Sequence, residues 1–426
     1  MLNLQVNVVI MFIKTGNYMT VNEIRSFFPA LSRKVYGKEL VYFDNAATSQ
    51  RVRGVLSEWN RISAESNANI HRAVHRLADE ATQAYEQARD AVKDFMNART
   101  REEIIFTSGT TAAINLVAFC FGEAYVKEGD EVIVTEAEHH SDIVPWQMMC
   151  QRKGAVLKVL PVDDMGHMMV EKLDEIISDK TRIMAVTHIS NVLGIINPIK
   201  EIIDICHSRN VPVLVDGAQG AVHCRVDVQE LDCDFYVFSG HKLYAATGTG
   251  VLYGKKKWLE QMPPYMGGGE MVGTVKFSGT TYAPLPMKYE AGTQNFASAA
   301  TLKPAIEFIN ILNDSELIKY NDAVRDYLLD KLMEDERVTL YGVPRGTSEE
   351  KIPLFSFTVK GVHHEDIALL LDKMGIAVRS GQMCAEPVMD RFGVTGMLRV
   401  SLAPYNTMEE AEYFIKCLNK AIDMLI

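Results

Sequence analysis

The chain has 426 residues, of which 47% are hydrophobic and 23% charged, which is an ordinary composition for a soluble globular protein. Its formal net charge is −11 and its sequence pI is about 5.6. This balance argues against a nucleic-acid-binding surface, because phosphate contacts need clustered lysine and arginine. The length alone favours two or three domains.

Seven cysteines are scattered through the chain and form no C-x-x-C pair. We therefore expect neither a disulfide framework nor a cysteine-rich zinc site, and we expect a reducing, cytoplasmic location. The apolar run at 8–13 is much shorter than the roughly 20 residues that span a bilayer. We interpret residues 1–18 as an N-terminal extension that is disordered or results from a misassigned start, and we predict a first helix from about Val21.

A long amphipathic helix is predicted from about His71 to Asn97, because apolar residues recur there at helical spacing. This stripe consists of Val74, Leu77, Ala78, Ala81, Tyr85, Ala88, Val92 and Phe95. Seven short apolar runs then alternate with helical segments. These runs are EIIFT (103–107), EVIVT (131–135), VLKVL (156–160), IMAVT (183–187), VPVLVD (211–216), FYVF (235–238) and GVLYG (250–254). The alternation indicates βαβ units and a mostly parallel seven-stranded sheet covered on both faces.

The sequence changes in character after about Ala299, where strands such as LFSFTV and LRVSL mix with helices such as HEDIALLLDKM. We therefore predict an α/β fold with a large domain at 19–298 and a smaller α+β domain at 299–426. The N-terminal segment of the large domain is expected to pack on the small domain.

Chemically informative residues follow the predicted strands, which is where open α/β sheets bind ligands. Asp216 comes directly after an apolar run, and a buried carboxylate needs a positively charged partner such as a pyridinium nitrogen. Gln219 can donate or accept a hydrogen bond to the same ligand. The alternative for Asp216 is a helix N-cap before the Gly-Ala turn.

Lys242 ends the next strand, 26 positions after Asp216. A lysine that loses hydration there has a lowered pKa and becomes nucleophilic, so it can form a Schiff base with an aldehyde cofactor. An aspartate for the ring nitrogen is the expected companion of pyridoxal phosphate. Ser239 and His241 carry donors for its phosphate, and the alternative is a lysine that caps a loop.

Two more strand ends fit the same ligand. Thr110 and Thr111 follow Gly109 at the start of a helix, where backbone N–H groups and hydroxyls bind anions. His139 follows another strand, and its flat ring can stack on a flat cofactor. A metal site at His139 is the rival interpretation, but no further ligand follows at a metal-binding spacing. We expect substrate-side contacts from His71.

The combined motifs resemble the SUF-type, or group II, cysteine desulfurase and selenocysteine lyase family, in the class V branch of fold-type I pyridoxal-phosphate enzymes. The motifs are Asp216-x-x-Gln219, Ser239-Gly-His241-Lys242, Arg379-x-Gly-x-x-Cys384 and Arg399-x-Ser. The resemblance extends from about Ile24 to the C-terminus and includes NANIHRAVHRLA, EHHSDIVPWQ, SNVLGIINP and YEAGTQN.

The resemblance implies a role for each matching residue. Lys242 would hold the cofactor and shuttle protons, Asp216 would keep the ring nitrogen protonated, and His139 would stack on the ring and take part in catalysis. Gln219 would bind the ring hydroxyl. The phosphate would be bound by Thr110, Thr111, Ser239, His241 and, from a second subunit, Thr293. The substrate would be bound by Asn191, Arg399, Arg379 and His71. Cys384 would attack the sulfur of the bound cysteine and become a persulfide, leaving alanine.

The resemblance also implies a homodimer, an L-cysteine substrate, and a SUF-type sulfur acceptor and iron–sulfur scaffold as partners. The chain departs from the family pattern at Ala112, at Ala245-Ala246 and at Gln382-Met383, which affects the expected rate and acceptor more than the reaction. Three alternatives stay open: a selenocysteine lyase, another class V enzyme of the aminotransferase or kynureninase type, and a non-enzymatic subunit that binds pyridoxal phosphate.

Overall fold

The computed structural model describes residues 19–312, 315–342 and 350–426. The predicted N-terminal extension, residues 1–18, lies outside the described residues. Within these ranges, no helix combines the length and the apolar character needed to cross a membrane.

Strands and helices alternate along most of the chain. The strands are β1 Lys34–Val35, β2 Lys38–Glu39, β3 Val41–Tyr42, β4 Ile104–Thr107, β5 Glu131–Thr135, β6 Val156–Leu160, β7 Thr181–Thr187, β8 Val213–Asp216, β9 Phe235–Ser239, β10 Gly250–Gly254, β11 Val272–Lys276, β12 Gly279–Tyr282, β13 Val338–Tyr341, β14 Leu354–Val359, β15 Ile376–Ala377, β16 Arg379–Gly381 and β17 Met397–Ser401. The helices are α1 Val21–Ser26, α2 Arg53–Glu65, α3 Arg76–Phe95, α4 Thr110–Tyr125, α5 Val144–Lys153, α6 Leu173–Ile176, α7 Ile199–Ser208, α8 Gly220–His223, α9 Val228–Leu231, α10 Lys256–Gln261, α11 Phe296–Ala300, α12 Leu302–Leu312, α13 Ser315–Glu334, α14 His364–Lys373, α15 Glu386–Phe392 and α16 Met408–Leu425.

The seven apolar runs predicted to be strands form one central sheet in the order β4-β10-β9-β8-β7-β5-β6. Strand β10 is antiparallel to both of its neighbours, and the pairs from β9 to β6 are all parallel. The predicted α/β fold with a mostly parallel seven-stranded sheet is therefore confirmed. Its parallel strands end at one common edge, where the polar residues that follow them can meet.

The central sheet is buried on both faces. Successive residues of a strand point to opposite sides of the sheet, so one strand shows what covers each face. In β8, Val213 and Val215 belong to an apolar cluster that includes helix α3, whereas Leu214 belongs to a second cluster that includes helix α4. All four residues of this strand are buried, including Asp216 at its end. The sheet therefore provides a rigid floor for the side chains at its carboxyl edge.

The long amphipathic helix is shorter than predicted. It begins at Arg76, and the His75 ring caps it by accepting a hydrogen bond at Nδ1 from the Ala78 N–H at 3.3 Å. Val74 and Leu77, which the spacing assigned to the apolar stripe, are exposed. The buried part of the stripe packs against the sheet and against α11 and α12 of the same chain. The buried part of the stripe is therefore covered by other elements of the same chain.

The C-terminal part of the chain forms a four-stranded antiparallel sheet in the order β13-β14-β17-β16. Strand β3, near the N-terminus, pairs in parallel with β15, so that Val41 lies beside Ile376. Val41 and Phe43 also join the apolar cluster under this sheet. The N-terminal segment thus packs on the C-terminal part, while the bounds of the two domains stay a prediction.

Candidate active site

A cavity of about 510 Å³ opens at the carboxyl edge of the central sheet. Twelve of the residues predicted to form the site line it: Thr110, Thr111, His139, Asn191, Asp216, Gln219, Ser239, His241, Lys242, Arg379, Cys384 and Arg399. Two larger cavities, of about 710 and 700 Å³, open elsewhere and are lined by none of these side chains. Residues that are spread over almost three hundred positions of the sequence thus line one cavity.

Lys242 and Asp216 both line this cavity. Asp216 ends strand β8, and Lys242 follows the adjacent strand β9. Burial lowers the pKa of the Lys242 ammonium to about 8, Asp216 opposes this shift, and Arg399 adds to it. Burial raises the pKa of the Asp216 carboxyl, and Lys242 counteracts the rise. Asp216 Oδ1 accepts a hydrogen bond from the Ala218 N–H at 2.8 Å, which closes a local turn. The N-cap of the following helix α8 is Gln219, so the alternative of Asp216 as a helix N-cap is wrong. The cavity therefore offers a nucleophilic amine beside a buried carboxylate.

The start of helix α4 forms an anion cradle at one side of the cavity. The Thr110 N–H donates to Ser239 Oγ at 2.8 Å, and Thr111 Oγ1 lies 2.7 Å from Ser141 Oγ. Gly109 has a φ of 152°, and a Cβ on Gly250 would lie 2.4 Å from the Gly109 Cα, so strand β10 can approach this turn only with glycine. A helix N-terminus surrounded by hydroxyls attracts a phosphate.

His139 borders the cavity with a neutral ring. Burial lowers its pKa to about 4, and the nearby Lys242 adds to the effect. Its Nδ1 accepts a hydrogen bond from the Ser141 N–H at 3.0 Å, so the ring proton is on Nε2. A neutral, flat ring held in this way can contact a flat ligand and donate one hydrogen bond.

Two buried carboxyl groups, Glu138 and Asp142, flank the histidine pair in sequence and contact each other behind the cavity wall. Glu138 Oε1 accepts from the Thr135 hydroxyl at 2.6 Å, and Asp142 Oδ1 accepts from the Trp146 indole N–H at 2.9 Å. Their remaining oxygens are buried without another protein partner. Burial raises the pKa of both carboxyls, and the charge of Asp216 raises both further. Glu138 also raises the pKa of Asp142, whereas a hydrogen bond from Asp142 lowers that of Glu138. The pair therefore keeps a proton at neutral pH.

The opposite end of the cavity carries two arginines on neighbouring strands of the small sheet. Arg379 and Arg399 lie directly across from each other in β16 and β17. Arg399 is 3% exposed, and its Nη1 donates to the Asn191 carbonyl at 2.7 Å, while its buried Nε has no partner. Asp44 Oδ1 lies 3.4 Å from Arg399 Nη2 and 3.5 Å from Arg379 Nε. This end is suited to bind a carboxylate.

Cys384 is exposed and lines the cavity, unlike the other six cysteines, which are buried or half-buried. Met383 and Cys384 both have positive φ angles, of 51° and 54°, a region that non-glycine residues seldom adopt. Two hydrogen bonds hold this turn: the His140 N–H donates to the Cys384 carbonyl at 2.7 Å, and Asn191 Nδ2 donates to the Met383 carbonyl at 2.8 Å. The thiol is thereby presented to the cavity.

His71 and Thr293 do not line the cavity. His71 Nε2 lies 3.1 Å from Glu86 Oε1, and Thr293 is exposed. The role of Thr293 in the site of a second subunit, and the substrate contact of His71, stay predictions.

The departures from the family pattern fall in different surroundings. Ala245 and Ala246 are buried, and Ala112 is half-buried on α4 beside the cradle. Gln382 and Met383 both line the cavity, and Met383 also belongs to an apolar cluster with Val192. The cluster accounts for an apolar side chain at that position, because methionine packs readily among other apolar residues.

Sequence reasoning missed several residues at this site. Asp44, Ser141 and the Glu138–Asp142 pair contact predicted residues but belong to no motif singled out above. Asp44 follows the three-residue apolar run VYF at 41–43. The rule that we applied to the seven longer runs would have identified this strand-end position.

The chain is similar to known proteins over most of its length. The family model for class-V aminotransferases matches residues 41–414. A probable cysteine desulfurase of Halalkalibacterium halodurans is 45% identical over 94% of this chain and 98% of its own, and a cysteine desulfurase of Cronobacter sakazakii is 43% identical over 93% and 97%. The crystal structure of the cysteine desulfurase CsdA from Escherichia coli superposes with a TM-score of 0.88 at 38% identity, covering 96% of this chain and 100% of that one. The chain therefore belongs to the aminotransferase class-V family.

Proposed function

We propose that this protein is a pyridoxal phosphate-dependent cysteine desulfurase, which converts L-cysteine to L-alanine and carries the sulfur as a persulfide on Cys384. The observation that carries this proposal is that Cys384 borders the same cavity as Lys242 and Asp216. Relatives named cysteine desulfurase, at 45% and 43% identity over nearly the whole chain, support it.

The groups around the cavity fit pyridoxal phosphate. Asp216 is a buried carboxylate for a cationic ring nitrogen, and the start of α4 with Ser239 is a cradle for a phosphate. Gln219 Nε2 donates to the Ala46 carbonyl at 2.7 Å, which leaves its oxygen to accept from a ring hydroxyl. When bound, the cofactor supplies an aldehyde for an amine and a ring that stabilises negative charge on the substrate carbon.

The chain's own residues then divide the remaining work. Lys242, with a pKa lowered to about 8 by burial, exists in both protonation states near neutral pH and can move a proton. Arg399 binds the substrate carboxylate through its unpartnered Nε. The Cys384 thiolate bonds to the substrate sulfur as the carbon–sulfur bond breaks. The persulfide stays on Cys384, and the carbon takes up a proton to become alanine.

Among the alternatives, selenocysteine would meet the same groups, so we expect it to be a second substrate. An aminotransferase or a kynureninase-like hydrolase would have no use for a thiol on the cavity wall, and a non-enzymatic subunit would need neither the thiol nor the amine. The exposed Cys384 therefore favours desulfuration.

We further propose that the protein acts in the cytoplasm as a homodimer and supplies sulfur for iron–sulfur cluster assembly through a SUF-type acceptor protein and scaffold. In the dimer, Thr293 would reach the phosphate of the partner subunit's cofactor. Native mass measurement of the cofactor-loaded protein tests the dimer, and a monomer would contradict it.

One experiment tests the proposed reaction. The visible spectrum of the purified protein is recorded, L-cysteine is added with a reductant, and alanine and sulfide are quantified. We expect both products in equal amounts. Cys384→Ala should keep the cofactor's visible band and lose both products, whereas Cys224→Ala, which changes a half-buried thiol outside the cavity, should behave as the natural protein. Desulfuration at the normal rate by the Cys384→Ala protein would contradict the proposed function.

A further inference from the structure

Three charged side chains from distant parts of the sequence meet at the carboxylate-binding end of the cavity. Arg379 and Arg399 lie across from each other on strands β16 and β17. Asp44 follows strand β3, and it bridges to Ser401 at the end of β17. The same carboxylate oxygen of Asp44 lies 3.5 Å from Arg379 Nε and 3.4 Å from Arg399 Nη2. One aspartate therefore serves two guanidinium groups.

The charges of this cluster sum to one positive charge, since two guanidinium groups face one carboxylate. The charge of this cluster is therefore one that a single substrate carboxylate neutralises. A ligand with two anionic groups would leave one negative charge in a partly buried site, which is unfavourable.

The geometry leaves one donor of Arg399 for the substrate. Arg399 is almost completely buried, its Nη1 is used by the Asn191 carbonyl, and its Nε has no partner. Asp44 lies 3.4 Å from Arg399 Nη2 and 3.5 Å from Arg379 Nε, and both contacts are longer than a good charge-assisted hydrogen bond. Asp44 is therefore shared between the two guanidinium groups, and a substrate carboxylate can replace it at Arg399. Arg379 lies nearer the surface, with a side chain 48% exposed, and Asp44 is its ion-pair partner. Arg379 and Cys384 both line the cavity, so a group on the substrate's β-carbon would lie near Arg379.

We propose that Asp44 is a specificity-determining residue: by neutralising one of the two arginines, it makes the site select amino acids with a single carboxylate and reject those with a second anionic group on the β-carbon. This inference rests on the proposed function, in which L-cysteine is the substrate. Without Asp44, Arg379 would be available to pair with the second anionic group, and L-aspartate would become a good ligand.

The test is a titration of the cofactor-loaded protein with L-alanine and with L-aspartate, followed through the visible band of the cofactor, so that it does not depend on turnover. The natural protein should bind L-alanine more tightly than L-aspartate. In Asp44→Asn, the ratio of the two dissociation constants should move roughly tenfold or more toward L-aspartate, the effect of one charge-assisted contact. The double variant Asp44→Asn, Arg379→Gln has one positive charge again and should recover the natural preference.

An unchanged ratio in a folded Asp44→Asn protein would overturn the inference, whether or not the protein desulfurates cysteine. If the protein binds L-alanine selectively but releases no sulfide from L-cysteine, the proposed function is contradicted. The role of Asp44 in selectivity is not contradicted by that result. If Asp44→Asn does not fold, the single variant Arg379→Gln tests the inference. In this variant Asp44 has only Arg399 to neutralise, so the dissociation constant of L-alanine should rise roughly tenfold. An unchanged constant would overturn the inference.

Discussion

The buried carboxyl pair of Glu138 and Asp142 makes a prediction that depends on no cofactor. Asp142 lies within contact of Glu138, and burial raises the pKa of both groups. In Asp142→Asn, the side-chain oxygen can still accept from Trp146, and the new amide can donate to the unpartnered Glu138 oxygen. The substitution thus removes one buried titrating group without removing a hydrogen bond.

The sign of the effect follows from proton linkage. A carboxyl whose pKa is raised on folding holds a proton that the unfolded chain has lost, so stability is fully present at low pH and falls as the pH rises. One such proton lowers the free energy of unfolding by about 1.4 kcal/mol per pH unit, or by about 3 kcal/mol between pH 6 and pH 8. For a chain of 426 residues, an unfolding entropy of about 2.1 cal/mol/K per residue converts this to a Tm change of about 3 °C.

The assay is thermal unfolding at pH 6 and pH 8, followed by circular dichroism, for the natural protein and two variants. The difference in Tm between Asp142→Asn and the natural protein should change by about 3 °C in favour of the variant when the pH is raised from 6 to 8. Asp390→Asn is the matched control, because it makes the same chemical change at an exposed position, and its Tm should follow that of the natural protein. Parallel pH profiles for all three proteins would refute a shared buried proton.

Further predictions concern the cavity. Lys242→Ala should abolish the visible band of the bound cofactor, and retention of that band would reject Lys242 as its attachment point. Burial lowers the pKa of Lys242 to about 8, so about a tenth of the Lys242 amines are neutral at pH 7 and most are neutral at pH 9. The rate at which cofactor-free protein takes up pyridoxal phosphate should therefore rise between pH 7 and pH 9. A rate that does not change over this range would contradict the role of Lys242. Arg399→Lys should raise KM for L-cysteine roughly tenfold or more with little change in the spectrum, because a lysine cannot replace a charge-assisted contact of the planar fork; an unchanged KM would remove Arg399 from the substrate site.

The sequence by itself was sufficient for the central sheet and for the floor of the cavity. The seven apolar runs are each bounded by polar or glycine-rich segments, and each became a strand of one sheet. Asp216 is the last residue of β8 and Lys242 follows the end of β9 by three residues, and the carboxyl ends of parallel strands converge on one edge. A local pattern therefore located residues that are far apart in the chain, because the sheet geometry is regular.

Periodicity was a weaker guide at the ends of elements. Val74 has the right spacing for the buried stripe of helix α3, but the helix begins two residues later, so Val74 lies outside it and is exposed. The same pattern gave no sign of Arg89, which is fully buried in this helix and bonded at 2.7 Å to Glu290, a residue 201 positions away. Such a buried ion pair depends on tertiary contacts that spacing along one helix does not encode.

Only the tertiary structure determines which charged groups lie next to one another at the cavity. Asp44 meets Arg379 and Arg399 because strand β3 pairs with β15 across more than three hundred residues, and no motif joins these segments in the sequence. Glu138 and Asp142 are four residues apart, yet their contact requires the short turn at His140–Asp142 and its burial under Trp146. Residue types at strand ends are fixed by the local sequence, whereas the pKa values and charge balance of a site depend on which distant groups the packing brings within a few ångströms.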